Sequence, residues 1–200
     1  MNPEELDALT RRPGPGRHLA TTIVDGQEVA TLADIPPLRD RLLFVGRSPE
    51  LTSIKAGHYQ QGRTGRIFWR RLMLAGILPA GTPLETADDA LLALGHGITD
   101  LDKTPTHDDE TVDGRLLAGV GPLWRKIALW RPAAVVFIDA GAASIAAGRA
   151  ISEPWGQLGA VALGGRPCFL IPAPDAPPKD VQEGLNFLRN LAAALPRQRP

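Results

Sequence analysis

Two hundred residues with 44% hydrophobic content suffice for one domain with its own core, since a chain of this size buries roughly 70% of its unfolded surface. Lysine plus arginine equals aspartate plus glutamate at 22 each, so no bulk positive field marks a nucleic-acid or membrane binder, and such contacts must come from a local patch. The single cysteine, Cys168, excludes an internal disulfide and a thiolate-built cluster; no apolar run approaches the ~18 residues of a membrane span, and no signal-peptide pattern opens the chain, so a soluble bacterial-type cytoplasmic protein is expected.

Residues 1–40 are polar and rich in proline and glycine, and read as an N-terminal arm against the core. Within the arm, TTIVDGQEVATL is a candidate hairpin turning at Asp25-Gly26. Leu42 to Gly46 (LLFVG) is short and continuously apolar, as a strand buried on both faces is. From Gly65 to Gly76 a helical face carries Phe68, Leu72 and Ala75, with Arg66, Arg70 and Arg71 largely off it. GTPLETADDALLAL reads as a helix opened by Pro83 or capped by Thr86, and GHGITDL as a strand ending at Asp100.

After the polar loop DKTPTHDDET, the pattern predicts a helix from Val112 to Trp130 with a stripe of Leu116, Leu117, Val120, Leu123, Trp124, Ile127 and Trp130. AAVVFIDA is the most strand-like run, and GAASIAAG starts a short helix. WGQLGAVALGGRPCFLI reads as an edge hairpin turning at Gly164-Gly165, its last strand running into a proline-rich loop. Asp180 to Leu195 closes the chain as a helix with Asp180 as N-cap and Leu185, Leu188, Leu191 and Leu195 inward. Residues 41–200 thus form the main domain, an α/β three-layer αβα sandwich around a short, mainly parallel sheet of about four strands.

A loop leaving the carboxyl end of a parallel strand is where such a fold places its ligand, so Arg41 to Gly76 is the expected substrate-facing segment. No P-loop, no strand followed by G-x-G-x-x-G and no G-x-S-x-G elbow is present. His18, His58, His96 and His107 lack the spacing of metal ligands, so neither metal nor cofactor is expected.

A series of motifs then occurs in order: Gly46-Arg47-Ser48-Pro49-Glu50, Gly57-His58-Tyr59, Phe68-Trp69, Gly97-Ile98-Thr99-Asp100-Leu101 with Pro105-Thr106, Arg131-Pro132, Trp155-Gly156-Gln157 and Ile171-Pro172-Ala173-Pro174. In this the chain resembles the uracil-DNA glycosylase superfamily, in particular the mismatch-specific uracil-DNA glycosylases and their thymine-DNA glycosylase relatives. The resemblance implies a domain that flips a deaminated or mismatched base out of DNA and cleaves its N-glycosidic bond, working as a monomer without a cofactor in base-excision repair.

The resemblance also implies roles. The family's first motif is Gly-Ile-Asn-Pro-Gly, whose Asn positions the attacking water; here Ser48 stands at that place, a shorter holder of water. Asp100, ending the neighbouring strand, is the candidate to replace the amide as base or electrostatic stabiliser, or else it caps the turn that follows. Tyr59 is placed to stack on the flipped base or to cover the loop's underside, with Gly46, Arg47, His58 and the backbone N–H of Ala173 as further base contacts. Phe68 and Trp69 read as core, and His58 alternatively as a surface residue.

Lys55, Arg63 and Arg66, with Arg47, make the first loop locally basic, offering DNA a patch or forming solvated charges around a helix start. Where the family has Asn-Pro-Ser-Gly or His-Pro-Ser-Pro, this chain has Ala173-Pro174-Asp175-Ala176; Asp175 beside phosphates calls for a basic neighbour such as Lys179. Asp102, Asp108 and Asp109 read as solvated charge. Two other functions stay open: a relative that binds nucleic acid without cleaving it, suggested by Ser48 and Ala173, and a hydrolase of free nucleosides or nucleotides.

Overall fold

The computed structural model describes residues 3–106 and 113–195. A helix α1 (Pro3–Thr10) precedes a hairpin of β1 (Leu19–Val24) and β2 (Gln27–Leu32). There follow β3 (Leu42–Gly46), α2 (Leu51–Ala56), α3 (Arg63–Leu74), a 3-10 turn over Leu84–Thr86, α4 (Ala87–Ala93) and β4 (Gly97–Asp100). The second half is α5 (Asp113–Trp130), β5 (Ala134–Phe137), α6 (Ala140–Ala147), β6 (Gly156–Leu163), β7 (Arg166–Leu170) and α7 (Pro178–Ala193).

The chain is a mixed α/β protein whose five-strand sheet runs β4-β3-β5-β7-β6, with the hairpin as a separate two-strand sheet. β3 pairs in parallel with β4 and β5, and β5 with β7, while β6 closes the edge antiparallel to β7 through Gly164 and Gly165, both at positive φ. The four parallel strands are the sheet expected from sequence, and β6 adds the edge strand. Because parallel strands are joined by crossovers, β3, β4, β5 and β7 all end on one side of the sheet.

Successive residues of a strand point to opposite faces, and β3 is buried on both. Leu42 and Phe44 join a core with Phe68, Trp69 and Leu72 of α3, Leu91 of α4, and Leu185 and Leu188 of α7. Leu43 and Val45 join a second core with Leu116, Leu123, Ile127 and Trp130 of α5 and Ala142 and Ala146 of α6. Each fully buried aliphatic or aromatic side chain contributes roughly 1.5–3 kcal/mol, so the strand is a firm support for the loop that leaves it.

The hairpin forms as its turn signal dictates. Val24 pairs with Gln27, leaving Asp25 (φ 50°) and Gly26 (φ 79°) as a two-residue loop with both φ positive. Beyond the hairpin the arm docks on the main sheet: Leu32 and Ile35 are fully buried, and Ile35 exchanges both backbone hydrogen bonds with Ile98 of β4. Helix α1, absent from the sequence reading, supplies the Leu9 carbonyl that accepts from the Trp130 indole.

Three helix expectations need correction. Leu117 and Trp124 are exposed, because the face of α5 that meets the sheet is the narrow row Leu116, Leu123, Ile127 and Trp130, and each of the two lies one residue, a 100° step, beyond it. Asp180 is not the N-cap: α7 opens with Pro178 in its first turn after Pro177, and Asp180 lies inside that turn, near the positive end of the helix dipole. Arg71 is buried, although the helical period places it off the apolar stripe. Among the described residues no helix is long and apolar enough to cross a membrane.

Candidate functional site

A cavity of about 340 Å³ opens where β3, β5 and β7 end. Its walls are Gly46, Arg47, Ser48 and Glu50 after β3, Gln60 with Thr64, Phe68 and Arg71 of α3, Thr106, Ile138-Asp139 after β5, and Ile171, Pro172 and Pro174 after β7. That volume fits a small ring system, and its position at the carboxyl ends of the strands is the usual ligand place in α/β sheets.

Gly46 and Asp100 are register partners at the ends of β3 and β4. A Cβ on Gly46 would overlap Asp100 Oδ1, so the carboxylate fills the space a side chain would take and stands behind the glycine, which itself forms the cavity wall. Asp100 is 2% exposed, and its Oδ2 has no hydrogen-bond partner among the described residues. Burial pushes the carboxyl up to about 6; Lys103 and Lys126 pull it down, and Asp34 and Asp102 push it further up.

Around it lies a charged network. Asp34 Oδ1 accepts from Lys103 Nζ at 2.8 Å and from Thr99 Oγ1 at 2.6 Å, and Lys126 Nζ lies 2.7 Å from Oδ2. Burial raises the Asp34 carboxyl, but the two ammoniums outweigh it and hold Asp34 well below the usual carboxylate range. Lys103 titrates above its ordinary value despite its burial, because Asp34, Tyr59 and Asp100 face it; burial lowers Lys126 against the pull of Asp34. Asp102 is also buried rather than solvated, its Oδ1 accepting from Thr104 N–H and its Oδ2 lying 3.5 Å from Arg115 Nε. Asp108 and Asp109 lie outside the described residues.

The other residues singled out by sequence divide into two groups. Gly46, Arg47 and Ser48 line the cavity. The Ser48 hydroxyl shares a 2.7 Å hydrogen bond with Thr106 Oγ1, and Thr106 N–H donates to Pro49 O, which ties the loop after β3 to the segment after β4. Tyr59 and His58 lie outside the cavity lining. Tyr59 is 1% exposed, donates its hydroxyl to Ala33 O, accepts from Lys103 Nζ, and has no open ring face. His58 is buried against Asp88.

Lys55, Arg63 and Arg66 are exposed on α2 and α3, as either a DNA patch or solvated helix-start charges would be. Ala173 is exposed, and its carbonyl accepts from Arg71. Lys179 is 3.9 Å from Glu183, and the basic group that feels Asp175 is Arg71.

Several cavity residues were given no role by sequence reasoning. Asp139 follows the VVFI strand as Asp100 ends the GITD strand, and that repetition was the available signal; its carboxylate accepts from Ala142 N–H at 2.7 Å as the N-cap of α6. Arg71 donates to the carbonyls of Pro172, Ala173 and Pro174 at 2.6, 2.9 and 3.1 Å, fixing the loop after β7. Gln60, at φ 57°, comes from loop geometry that carries no periodic signal, and Glu50, the last residue of the first motif, also lines the cavity. No protein-family model matches the chain, and no curated protein sequence does.

Proposed function

We propose that the chain is a DNA glycosylase, an enzyme of the uracil-DNA glycosylase type with a three-layer αβα domain, which hydrolyses the N-glycosidic bond of a flipped deaminated or mismatched base such as uracil. The observation that carries this reading is the strand-end cavity: it joins Gly46-Arg47-Ser48 to Pro172 and Pro174, two segments far apart in sequence that the family resemblance also assigns to one site. A cavity of about 340 Å³ accommodates a single base.

The chemistry follows from the charges. As the bond breaks, its electron pair leaves with the base and positive charge builds at the sugar C1′; water then bonds to C1′ and gives up a proton. Ionised Asp100, behind the bare Cα of Gly46, opposes the cation electrostatically, and the proton of the attacking water passes to solvent. Ser48 holds the water, and Arg47 with the Pro172–Pro174 backbone faces the base. Lys55, Arg63 and Arg66 meet phosphates, and the protein acts as a cytoplasmic monomer without a cofactor.

Incubation with duplex and single-stranded oligonucleotides containing uracil, mismatched thymine, hypoxanthine or xanthine tests this reading. Alkali-labile abasic sites are expected with the native chain and not with Asp100→Asn; neither cleavage nor binding of any of the four ends the proposal. A second reading, a binder that does not cleave, is favoured by the Ser48 hydroxyl being engaged by Thr106 and by Asp100 standing behind the cavity wall. Intact oligonucleotides with saturable, salt-sensitive binding select it.

A further inference from the structure

Away from the strand-end cavity, four side chains able to hold a metal converge from three separate segments. His18 comes from the arm, His58 from the loop after α2, and Asp88 and Asp89 from the first turn of α4; their donor atoms all lie within 4.8 Å of one another. His18 is 2% exposed, His58 8% and Asp88 0%. Asp89 keeps 20% of its side chain exposed, which leaves a route for an ion.

The distances suit a small cation. His58 Nδ1 is 2.9 Å from Asp88 Oδ1, and His18 Nε2 is 3.0 Å from Asp89 Oδ1 and 3.8 Å from Asp88 Oδ2. In a tetrahedral site with bonds of about 2.0–2.1 Å, neighbouring donors stand about 3.3 Å apart, a value these separations bracket. Backbone donors orient both carboxylates: Tyr59 N–H donates to Asp88 Oδ2 at 2.8 Å, and Gly16 N–H to Asp89 Oδ1, the oxygen that faces His18, at 2.9 Å.

Charge points the same way. Among the described ion pairs, Asp88 and Asp89 meet only the two histidines, so with neutral imidazoles two adjacent carboxylates stand with no cation between them. A divalent ion neutralises both, and neutral imidazole is the form that ligates. Two imidazoles with two carboxylates make a borderline donor set that takes zinc-type first-row ions.

We propose that His18, His58, Asp88 and Asp89 form a structural site for a divalent transition metal of the zinc type, which clamps the N-terminal arm to α4 and to the loop before α3. Four protein ligands close the coordination sphere, so the role is structural. The arm is already registered for it, His18 N–H donating to Gly57 O at 2.7 Å and Ala33 N–H to His18 O at 2.8 Å. His18 is the weakest ligand: ligation through Nε2 leaves the proton on Nδ1, which has no hydrogen-bond partner among the described residues. The site is independent of the glycosylase reading.

The test uses the full chain without a histidine tag, stripped by chelator and titrated with zinc by calorimetry. One zinc per chain and a rise in melting temperature that chelator reverses are expected, and the His18→Gln/His58→Gln double variant should bind at least about tenfold more weakly. Cobalt(II) on the native chain should give the intense visible bands of a tetrahedral site, a readout that does not depend on the variant folding. No stoichiometric uptake, equal uptake by a folded double variant, or a pale octahedral cobalt spectrum overturns the proposal and leaves a proton-linked His–Asp cluster.

Discussion

Gly46 and Asp100 occupy one space between them: the carboxylate of the β4 residue sits where the β3 residue would carry its side chain. Gly46→Ala therefore forces a buried carboxylate to move, with an expected loss of about 1–3 kcal/mol by chemical denaturation. In an Asp100→Ala background the obstructing oxygen is gone, and the same substitution should cost less. A double-mutant cycle that returned strictly additive losses would show that the two residues do not contend for that space.

Asp100 should also tilt stability with pH. Its folded value of about 6 lies above the unfolded value near 4, so between these the folded chain binds more protons. Stability from this group is greatest below about pH 4, falls through the window and stays lowered above about 6, by roughly 2–3 kcal/mol in all. Asp100→Asn should remove that slope in urea denaturations across the window. If the ionised form does the chemistry, base release by the native chain rises over the same range with a midpoint near 6.

Ser48 separates the two functional readings. Its hydroxyl is bonded to Thr106 Oγ1, so Ser48→Ala should cost about 1 kcal/mol of stability and reduce base release less than Asp100→Asn does. Ser48→Asn puts at the cavity wall the amide that the proposed glycosylase reading calls for, and on that reading should raise base release in single-turnover assays. Absence of base release from both the native chain and the folded Ser48→Asn variant would fit the non-cleaving binder.

What could be read from the sequence was what is encoded locally. The run LLFVG, the Asp25-Gly26 turn and the Gly164-Gly165 hairpin each carry their own short-range instruction, and all three form as read. Burial fixed by distant partners was not legible. Arg71 finds its three carbonyls about a hundred residues downstream, and His18 finds Asp89 seventy-one residues away. Tyr59 looked available because a loop has no period from which to read a facing side, yet its hydroxyl is committed to Ala33 and Lys103.

Arg71 is the fastening of the loop after β7. Arg71→Ala strips donors from Pro172, Ala173 and Pro174, and should destabilise the chain by about 2–4 kcal/mol. Arg71→Lys recovers only part, because an ammonium lacks the planar fork that serves several carbonyls at once. Hydrogen exchange should quicken at Ala176 and Val181, whose N–H groups donate to Ala173 O and Pro177 O, while the amides of β3 stay protected.

Asp34 gives the opposite pH dependence to Asp100. Burial raises its carboxyl, but Lys103 and Lys126 prevail and leave it lowered, so its contribution is complete above the unfolded value near 4 and drains away as acid protonates it. Asp34→Asn leaves two ammoniums without their shared anion and should cost about 2–4 kcal/mol at neutral pH, the lower part of that range applying because the Asp34 side chain keeps 18% exposure. The substitution also removes a negative charge that raises Asp100, while the cations that lower it remain. The midpoint of base release should therefore fall below about 6 in this variant. A midpoint unchanged in a folded Asp34→Asn protein would mean that Asp100 is not the titrating group, because Asp34 is one of the charges that holds the Asp100 carboxyl up.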